Sequence, residues 1–424
     1  MSSARAGGRE IWLAAGLRTP FARVDGPLSG RDALGLSVPV VRAMAAQVSG
    51  SIDLAVWGSV AANLTYSNLA REIWLEAGLE PHVPTFTTIL QCCTSMVAAF
   101  EAAGMLQRVG LELALAGGSE SMSRVQIGLS SNLSVWLRKW IQARTATRRL
   151  EVLRALRPRD VRLYVPEVKN RATGKSMGEH CEEMAKTWKI GRREQDEFAL
   201  ESHRRAVAAQ ERDSLGDLVP VDGLARDGFP RRHTSLEVLA ALKPAFDHAR
   251  GTITAGNSSP LTDGAAAVWV ATREGLARLP ATVPRVRLVD YQIAAVDIFR
   301  EGLLMAPVAA IPRLLSRHGL TYEAVSLWEI HEAFAAQVLC NIEGLEDADY
   351  VQERAGVPYT FGRFPRDRVN PNGGSIALGH PFGATGARIL SQAVRELVAM
   401  PAGSRAVVSV CADGGLGSVA LLEN

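Results

Sequence analysis

The sequence predicts an α/β fold made of two alternating halves with a mainly helical insertion between them. Three observations lead to it. Short apolar runs alternate with longer amphipathic or small-residue runs, the spacing of parallel strands joined by helices. Two distant stretches echo each other: each has a turn with a reactive side chain, a small-residue helix, an apolar strand and a glycine pair, Gly117-Gly118 in one and Gly414-Gly415 in the other. Between them an arginine-rich amphipathic stretch breaks the alternation and marks an insertion.

In order, residues 11–17 read as a first strand closed by Arg-Thr-Pro-Phe at 18–21, and 33–47 as a helix. A strand at 54–60 and a helix at 68–77 follow, then a strand at 87–90, a small-residue helix at 95–109 and a buried strand at 113–116. In 129–166, Leu133, Trp136, Leu137, Trp140 and Ile141 recur at helical spacing, while Arg138, Lys139, Arg144, Arg148, Arg149, Arg154, Arg157, Arg159 and Arg162 crowd the remainder. Such a segment suits a membrane surface, a partner chain or an anionic ligand, or else covers the chain's own core. Residues 176–210 are helical in period. A turn-rich loop spans 256–264 and runs into a strand at 265–271. The second alternating series has strands at 285–293, 324–329 and 406–410 and helices at 306–318, from His331 onward, and from 384 to about 398. The expected organisation is an N-terminal half at 1–124, an inserted lid at 125–247, a return to the first half at 248–274 and a C-terminal half at 275–424.

The 424 residues have room for two or three domain-sized units. They are 47% apolar with a net charge of +3, too little to argue for nucleic acid. The polar start predicts no secretory signal, and no apolar run approaches the roughly 20 residues needed to cross a bilayer. Five cysteines, odd in number and without CxxC spacing, point to reduced thiols, a cytoplasmic setting and no metal site.

Two places carry chemistry. His380 lies between glycine-rich runs in NPNGGSIALGHPFGATGARIL (370–390), just before a helix start whose free N–H groups favour negative charge. Cys92 lies where a strand turns into a helix, a location expected to lower a thiol pKa. The alternative is a small buried hydrophobe, and of the neighbours Cys92 and Cys93 at least one should be of that kind.

Five strings, QCCTSM, GGSESMS, GNSSPLTDGAAAV, HEAFAAQ with GGSIALGHPFGATGAR, and CADGGLG, stand in an order that resembles the thiolase family along nearly the whole chain. The HEAF form is similar to the degradative 3-ketoacyl-CoA thiolases, most of all to the thiolase subunit of trifunctional fatty-acid oxidation complexes. The resemblance implies the thiolase fold, two duplicated βαβ-type halves layered α/β/α/β/α. It makes Cys92 the nucleophile, His380 its base, Cys411 the acid that moves the substrate's α-proton, and His331 the holder of a water beside the oxyanion. The backbone N–H groups of Cys92 and Asp413 become oxyanion donors, and Ser259 lies near the pantetheine arm of CoA.

Implied with it is thiolysis of 3-ketoacyl-CoA in fatty-acid β-oxidation through an acyl-enzyme, with coenzyme A as co-substrate and no permanently bound cofactor. The alternatives are acetoacetyl-CoA synthesis by the reverse reaction and a catalytically silent, CoA- or lipid-binding subunit; ketoacyl synthases, lacking a counterpart of Cys411, rank below these. Expected partners are a second copy of the chain (dimer or dimer of dimers), a hydratase/dehydrogenase subunit, and a membrane surface reached peripherally through 130–160. The arginines there suit the 3′-phospho-ADP of CoA. Two residues depart from the family pattern. Asp413 replaces Gly or Ala, and its carboxylate is expected to turn away from anionic intermediates; Gln91 is unusual before the nucleophile. His82, His180, His203, His233, His248 and His318 read as surface or core residues.

Overall fold

The computed structural model describes residues 9–108, 110–215 and 217–424. The polar start at 1–8 and Val109, the expected end of a helix, lie outside them. Nine strands form the main path of a twelve-stranded sheet: β1 (Ile11–Ala14), β2 (Leu54–Gly58), β3 (Thr85–Thr87), β4 (Leu113–Glu120), β5 (Thr262–Ala271), β6 (Arg285–Ala295), β7 (Leu327–Ile330), β8 (Arg405–Ala412) and β9 (Leu416–Glu423). Their order is β7-β8-β9-β6-β1-β5-β4-β2-β3, and the two halves join where β1 pairs with β6.

The sheet is mixed rather than parallel throughout. β2 pairs parallel with β3 and β4, and β7 with β8, while β1, β5, β6 and β9 pair antiparallel. The cause lies partly in β9, a strand the sequence reading left out: only residues 413–415 separate it from β8, too few for the crossover a parallel pair requires. The first strand also ends sooner than expected, at Ala14, with a separate short strand at Leu17–Arg18.

Strand side chains alternate between faces, and three cores result. Leu54, Val56, Ala116, Val268, Val408, Val410 and Leu422 face a central core shared with two helices, α3 (Thr94–Leu106) and one we designate αC (Thr385–Val398). The intervening Ala55, Trp57, Leu115 and Trp269 face an outer core under α1 (Ala33–Ala45) and α2 (Leu69–Glu76). Val407, Val419 and Leu421 face the opposite outer core, under helices Ala306–Arg317 and Ala335–Glu346. The layers therefore run helix, sheet, helix, sheet, helix. α3 and αC approach closely because Gly386 lacks a Cβ, which would collide with the backbone nitrogen of Met96.

Between β4 and β5 lie helices Ser131–Gln142, Ala146–Arg154, Met177–Thr187 and Arg192–Glu211. The first two form a hairpin. Trp136 and Trp140 stack with centroids 5.7 Å apart, and the Trp136 indole N–H donates to the Val152 carbonyl at 2.7 Å. This apolar stripe does not cover the chain's own core: no residue of Ser131–Gln142 is buried, and Ile141 is 77% exposed.

Candidate active site

Cys92 sits in a single 3-10 turn, Gln91–Cys93, that leads into α3. Gln91 holds a φ of +44°, a left-handed conformation that is strained for a residue with a Cβ. The Thr94 hydroxyl locks this turn, accepting from the Leu90 N–H at 2.9 Å and donating to the Gln91 carbonyl at 2.7 Å. Cys93 is fully buried and its thiol donates to the Val410 carbonyl at 3.3 Å, so it is the packing cysteine of the pair. Cys92 is half-buried, with its Sγ 3.2 Å from His380 Nε2.

The His380 backbone N–H donates to Thr262 Oγ1 at 2.6 Å, and its Nδ1 lies 2.6 Å from Thr385 Oγ1. The Thr385 hydroxyl donates to the Pro381 carbonyl at 3.1 Å, so its oxygen is left to accept Nδ1–H. That assignment places the lone pair of Nε2 toward the Cys92 thiol. The His380 loop is fastened from below by Glu120, whose carboxylate accepts from Ser59 Oγ (2.9 Å), Val60 N–H (3.0 Å), Ala61 N–H (3.0 Å) and Gly383 N–H (3.1 Å). Gly118 permits this, since a Cβ there would strike the Gly383 carbonyl.

His331 stands beside His380 with ring centroids 4.1 Å apart. Its backbone N–H donates to the Ser409 carbonyl at 2.8 Å, its Nδ1 lies 2.9 Å from Ser375 Oγ, and its Nε2 is buried without a partner. The loop carrying Ser259 runs alongside: the Ser259 N–H donates to the Ala333 carbonyl at 3.0 Å, and Leu261 bridges to His380. Cys411 is buried at the end of β8 and interacts electrostatically with Cys92. The Asp413 carboxylate turns to the insertion, where it accepts from Asn170 Nδ2 at 2.8 Å and from the Gly414 N–H at 2.6 Å.

The electrostatics correct one expectation. The Cys92 thiol is pushed well above its ordinary pKa, first by burial and then by electrostatic interaction with Cys411, Cys93, Asp413 and Glu120. Desolvation of a thiolate outweighs the helix dipole, which acts as only about half a charge. Burial, then the Arg388 cation, pushes His380 down to about 3. Burial, then His380 and Arg388, lowers His331 likewise. The resting pair is a neutral thiol facing a neutral imidazole. Among the described residues, the group spaced to hold a metal ion is this same trio, with ligand atoms of Cys92, His331 and His380 within 4.8 Å of one another.

The comparisons agree with this geometry. Residues 11–274 match the family model of the thiolase N-terminal domain and residues 282–424 that of the C-terminal domain. The chain belongs to the thiolase family. The 3-ketoacyl-CoA thiolases of Enterobacter sp. (strain 638) and Escherichia coli (strain K12 / MC4100 / BW2952) are each 38% identical over 98% of this chain and 97% of their own length. Among solved structures, human mitochondrial 3-ketoacyl-CoA thiolase superposes with a TM-score of 0.80 at 27% identity, covering 98% of this chain and 99% of that one. A thiolase from Ascaris suum in complex with coenzyme A gives 0.79 at 28%, covering 98% and 100%.

In this thiolase, sequence reasoning missed the residues that hold the reactive ones. Glu120 was visible as an acid ending an apolar strand, a placement that demands buried partners. Thr385, Ser375 and Arg388 gave no such signal, being ordinary residues for the starts and first turns of their two helices.

Proposed function

We propose that this thiolase cleaves 3-ketoacyl-CoA between C2 and C3 with CoA, releasing acetyl-CoA and an acyl-CoA two carbons shorter, as in fatty-acid β-oxidation. The observation that carries the reading is the 3.2 Å approach of Cys92 Sγ to His380 Nε2, with the unpartnered Nε2 of His331 beside it. His380 takes the Cys92 proton as sulfur attacks the C3 ketone, and the new C3 oxyanion is met by donors from His380 and from His331 directly or through a water. The C2–C3 bond then breaks, and Cys411 protonates the departing acetyl-CoA enolate. Free CoA attacks the Cys92 thioester, with the backbone N–H groups of Cys92 and Asp413 at the second oxyanion and Ser259 along the pantetheine arm. The CoA thiol proton returns to Cys411, and Cys92 regains its own from His380, so the cycle is balanced.

No resident metal takes part in this reading, since an ion on Cys92, His331 and His380 would occupy the nucleophile and base. Asp413 is held by Asn170, which removes the main argument for a silent subunit. Mass spectrometry of the protein incubated with 3-ketoacyl-CoAs of several chain lengths tests the reading. Acyl mass on Cys92, lost together with turnover in Cys92→Ser, is expected. Acylation elsewhere, or turnover surviving in Cys92→Ser, overturns it, while activity confined to the four-carbon substrate favours acetoacetyl-CoA chemistry.

We further propose that the chain divides at 1–124, 125–247, 248–274 and 275–424 and assembles at least as a homodimer. Support for the dimer comes from β3, which ends the main path of the sheet and is followed by Ile89 at 53% exposure. A sedimentation mass of one chain would exclude it. Among the described residues no helix is long and apolar enough to cross a membrane. The hairpin at 131–154 nonetheless suits an anionic membrane surface, because Ile141, Leu150 and Leu153 are exposed on it, while its other face borders a groove of about 740 Å³ lined by Arg148, Arg157, Arg159 and Arg162 together with Glu151 and Asp160. Co-sedimentation with anionic liposomes, lost in Ile141→Ser plus Leu153→Ser, supports this; no sedimentation of the parent protein rules it out and leaves a hydratase/dehydrogenase subunit as the partner.

A further inference from the structure

We propose that Ser375, held by Arg388, is a positioning residue that fixes His331 as the Nε2–H tautomer, so that His331 offers the oxyanion a proton while His380 offers the thiol a lone pair. The inference rests on the thiolysis reading above and specifies how two adjacent imidazoles divide its work.

Ser375 is fully buried, and its oxygen has two neighbours: His331 Nδ1 at 2.9 Å and Arg388 Nη2 at 3.2 Å. A guanidinium only donates, so the Arg388 contact uses a lone pair of the serine oxygen and leaves the hydroxyl proton to be placed. Directed at His331 Nδ1, that proton completes a chain from Arg388 N–H to Ser375 oxygen and from Ser375 O–H to Nδ1. The opposite tautomer, with Nδ1–H donating to Ser375, leaves two buried groups unmade, the hydroxyl proton and the Nε2 lone pair, whereas the favoured chain leaves only Nε2–H, the proton an oxyanion would accept. The favoured chain therefore puts the ring proton on Nε2, the atom that is buried and unpartnered beside Cys92 and His380.

His380 is wired the other way. Its Nδ1–H meets an oxygen whose own proton goes to Pro381, which bares Nε2. A serine bonded to a cation and a threonine bonded to a carbonyl thus impose opposite tautomers on two rings 4.1 Å apart. Arg388 is itself buried, its Nε and Nη1 without hydrogen-bond partners, and the carboxyl groups of Glu329 and Glu332 favour its charge.

The test uses full-length protein labelled with ¹⁵N-histidine, with His331 assigned by the loss of its signals in His331→Gln. Two-bond ¹⁵N–¹H correlations are expected to show a protonated Nε2 and a bare Nδ1 for His331, and this single-tautomer pattern should be lost in Ser375→Ala. The same variant should lose at least five-fold in kcat with KM for 3-ketoacyl-CoA within two-fold. A parent His331 protonated on Nδ1, or an unchanged pattern in Ser375→Ala, overturns the proposal even if turnover slows. Absence of turnover in the parent enzyme would instead reject the thiolysis reading, and the tautomer measurement would still decide the wiring.

Discussion

Replacing Thr385 with valine isolates the contact on which the proposed role of His380 as a base depends. Valine keeps the shape and branching of threonine but removes the oxygen 2.6 Å from His380 Nδ1. Nδ1–H then has no acceptor in a site where His380 is 4% exposed, which disfavours the active tautomer by about 1–3 kcal/mol. The ring responds by carrying its proton on Nε2, pointing a donor rather than a lone pair at Cys92. Because each 1.36 kcal/mol is tenfold in rate, kcat/KM for thiolysis should fall between about five-fold and about 160-fold. Helix αC should survive, since the Pro381 carbonyl still accepts from the Ala384 and Thr385 backbone N–H groups at 2.9 and 3.2 Å. Two assays separate the effects: steady-state thiolysis, and alkylation of Cys92 by iodoacetamide, which needs the thiol proton removed but no oxyanion. Both should drop in Thr385→Val and recover in Thr385→Ser. Alkylation and turnover both within two-fold of the parent would refute the claim that Thr385 orients the base.

Three further outcomes follow from the same groups. With its pKa raised by burial, Cys92 should alkylate at a rate still climbing above about pH 9, beyond the ordinary thiol value; a plateau near neutrality would reveal a preformed thiolate–imidazolium pair and refute the neutral resting state. Zn²⁺ should inhibit by bridging Cys92, His331 and His380, with activity restored by EDTA; zinc uptake that persists after alkylation of Cys92 would show that the trio is not the site. Burial, then Arg231, holds His203 down to about 4, so the unfolded chain binds a proton there that the folded chain refuses. Stability from this group is complete above the unfolded value of about 6.5 and is lost as pH falls from there toward 4, about 2 kcal/mol of it by pH 5. Urea unfolding at pH 7 and pH 5 should show a smaller acid loss in His203→Gln, and an equal loss would refute the assignment.

The candidate site's side chains were legible because their chemistry is rare in sequence. A histidine between glycine runs and a cysteine at a strand-to-helix turn stand out, and the structure places them 3.2 Å apart across 288 residues. The small-residue helix after Cys92 was legible for the same local reason. The thiol pKa was misjudged because the dipole can be read from neighbouring residues, whereas burial is a property of everything packed on the turn. The mixed sheet was hidden similarly: β5 and β6 pair with β1, from more than two hundred residues away. The basic hairpin showed its stripe at once, yet periodicity cannot say whether a stripe meets a core or is left open, and here Ile141 is left open.

The central helices explain why a raised thiol pKa is compatible with catalysis. α3 and αC begin side by side: the Ala387 N–H of αC donates to Ser95 Oγ of α3 at 2.8 Å, and Gly386 lets their backbones meet. Both positive helix ends are thereby directed at the region of Cys92 and His380. A permanent thiolate would be stabilised there before substrate arrived, and that stabilisation would be spent on the ground state. Burial removes the ground-state charge and leaves the dipoles and the Nε2 of His331 to act on the anion that forms only during attack on the ketone. Stabilisation that appears with the transition state lowers the barrier by its full amount. In the proposed mechanism, the desolvation that raises the thiol pKa and the convergence of two helix N-termini are parts of one device, and the close packing of α3 on αC makes both possible.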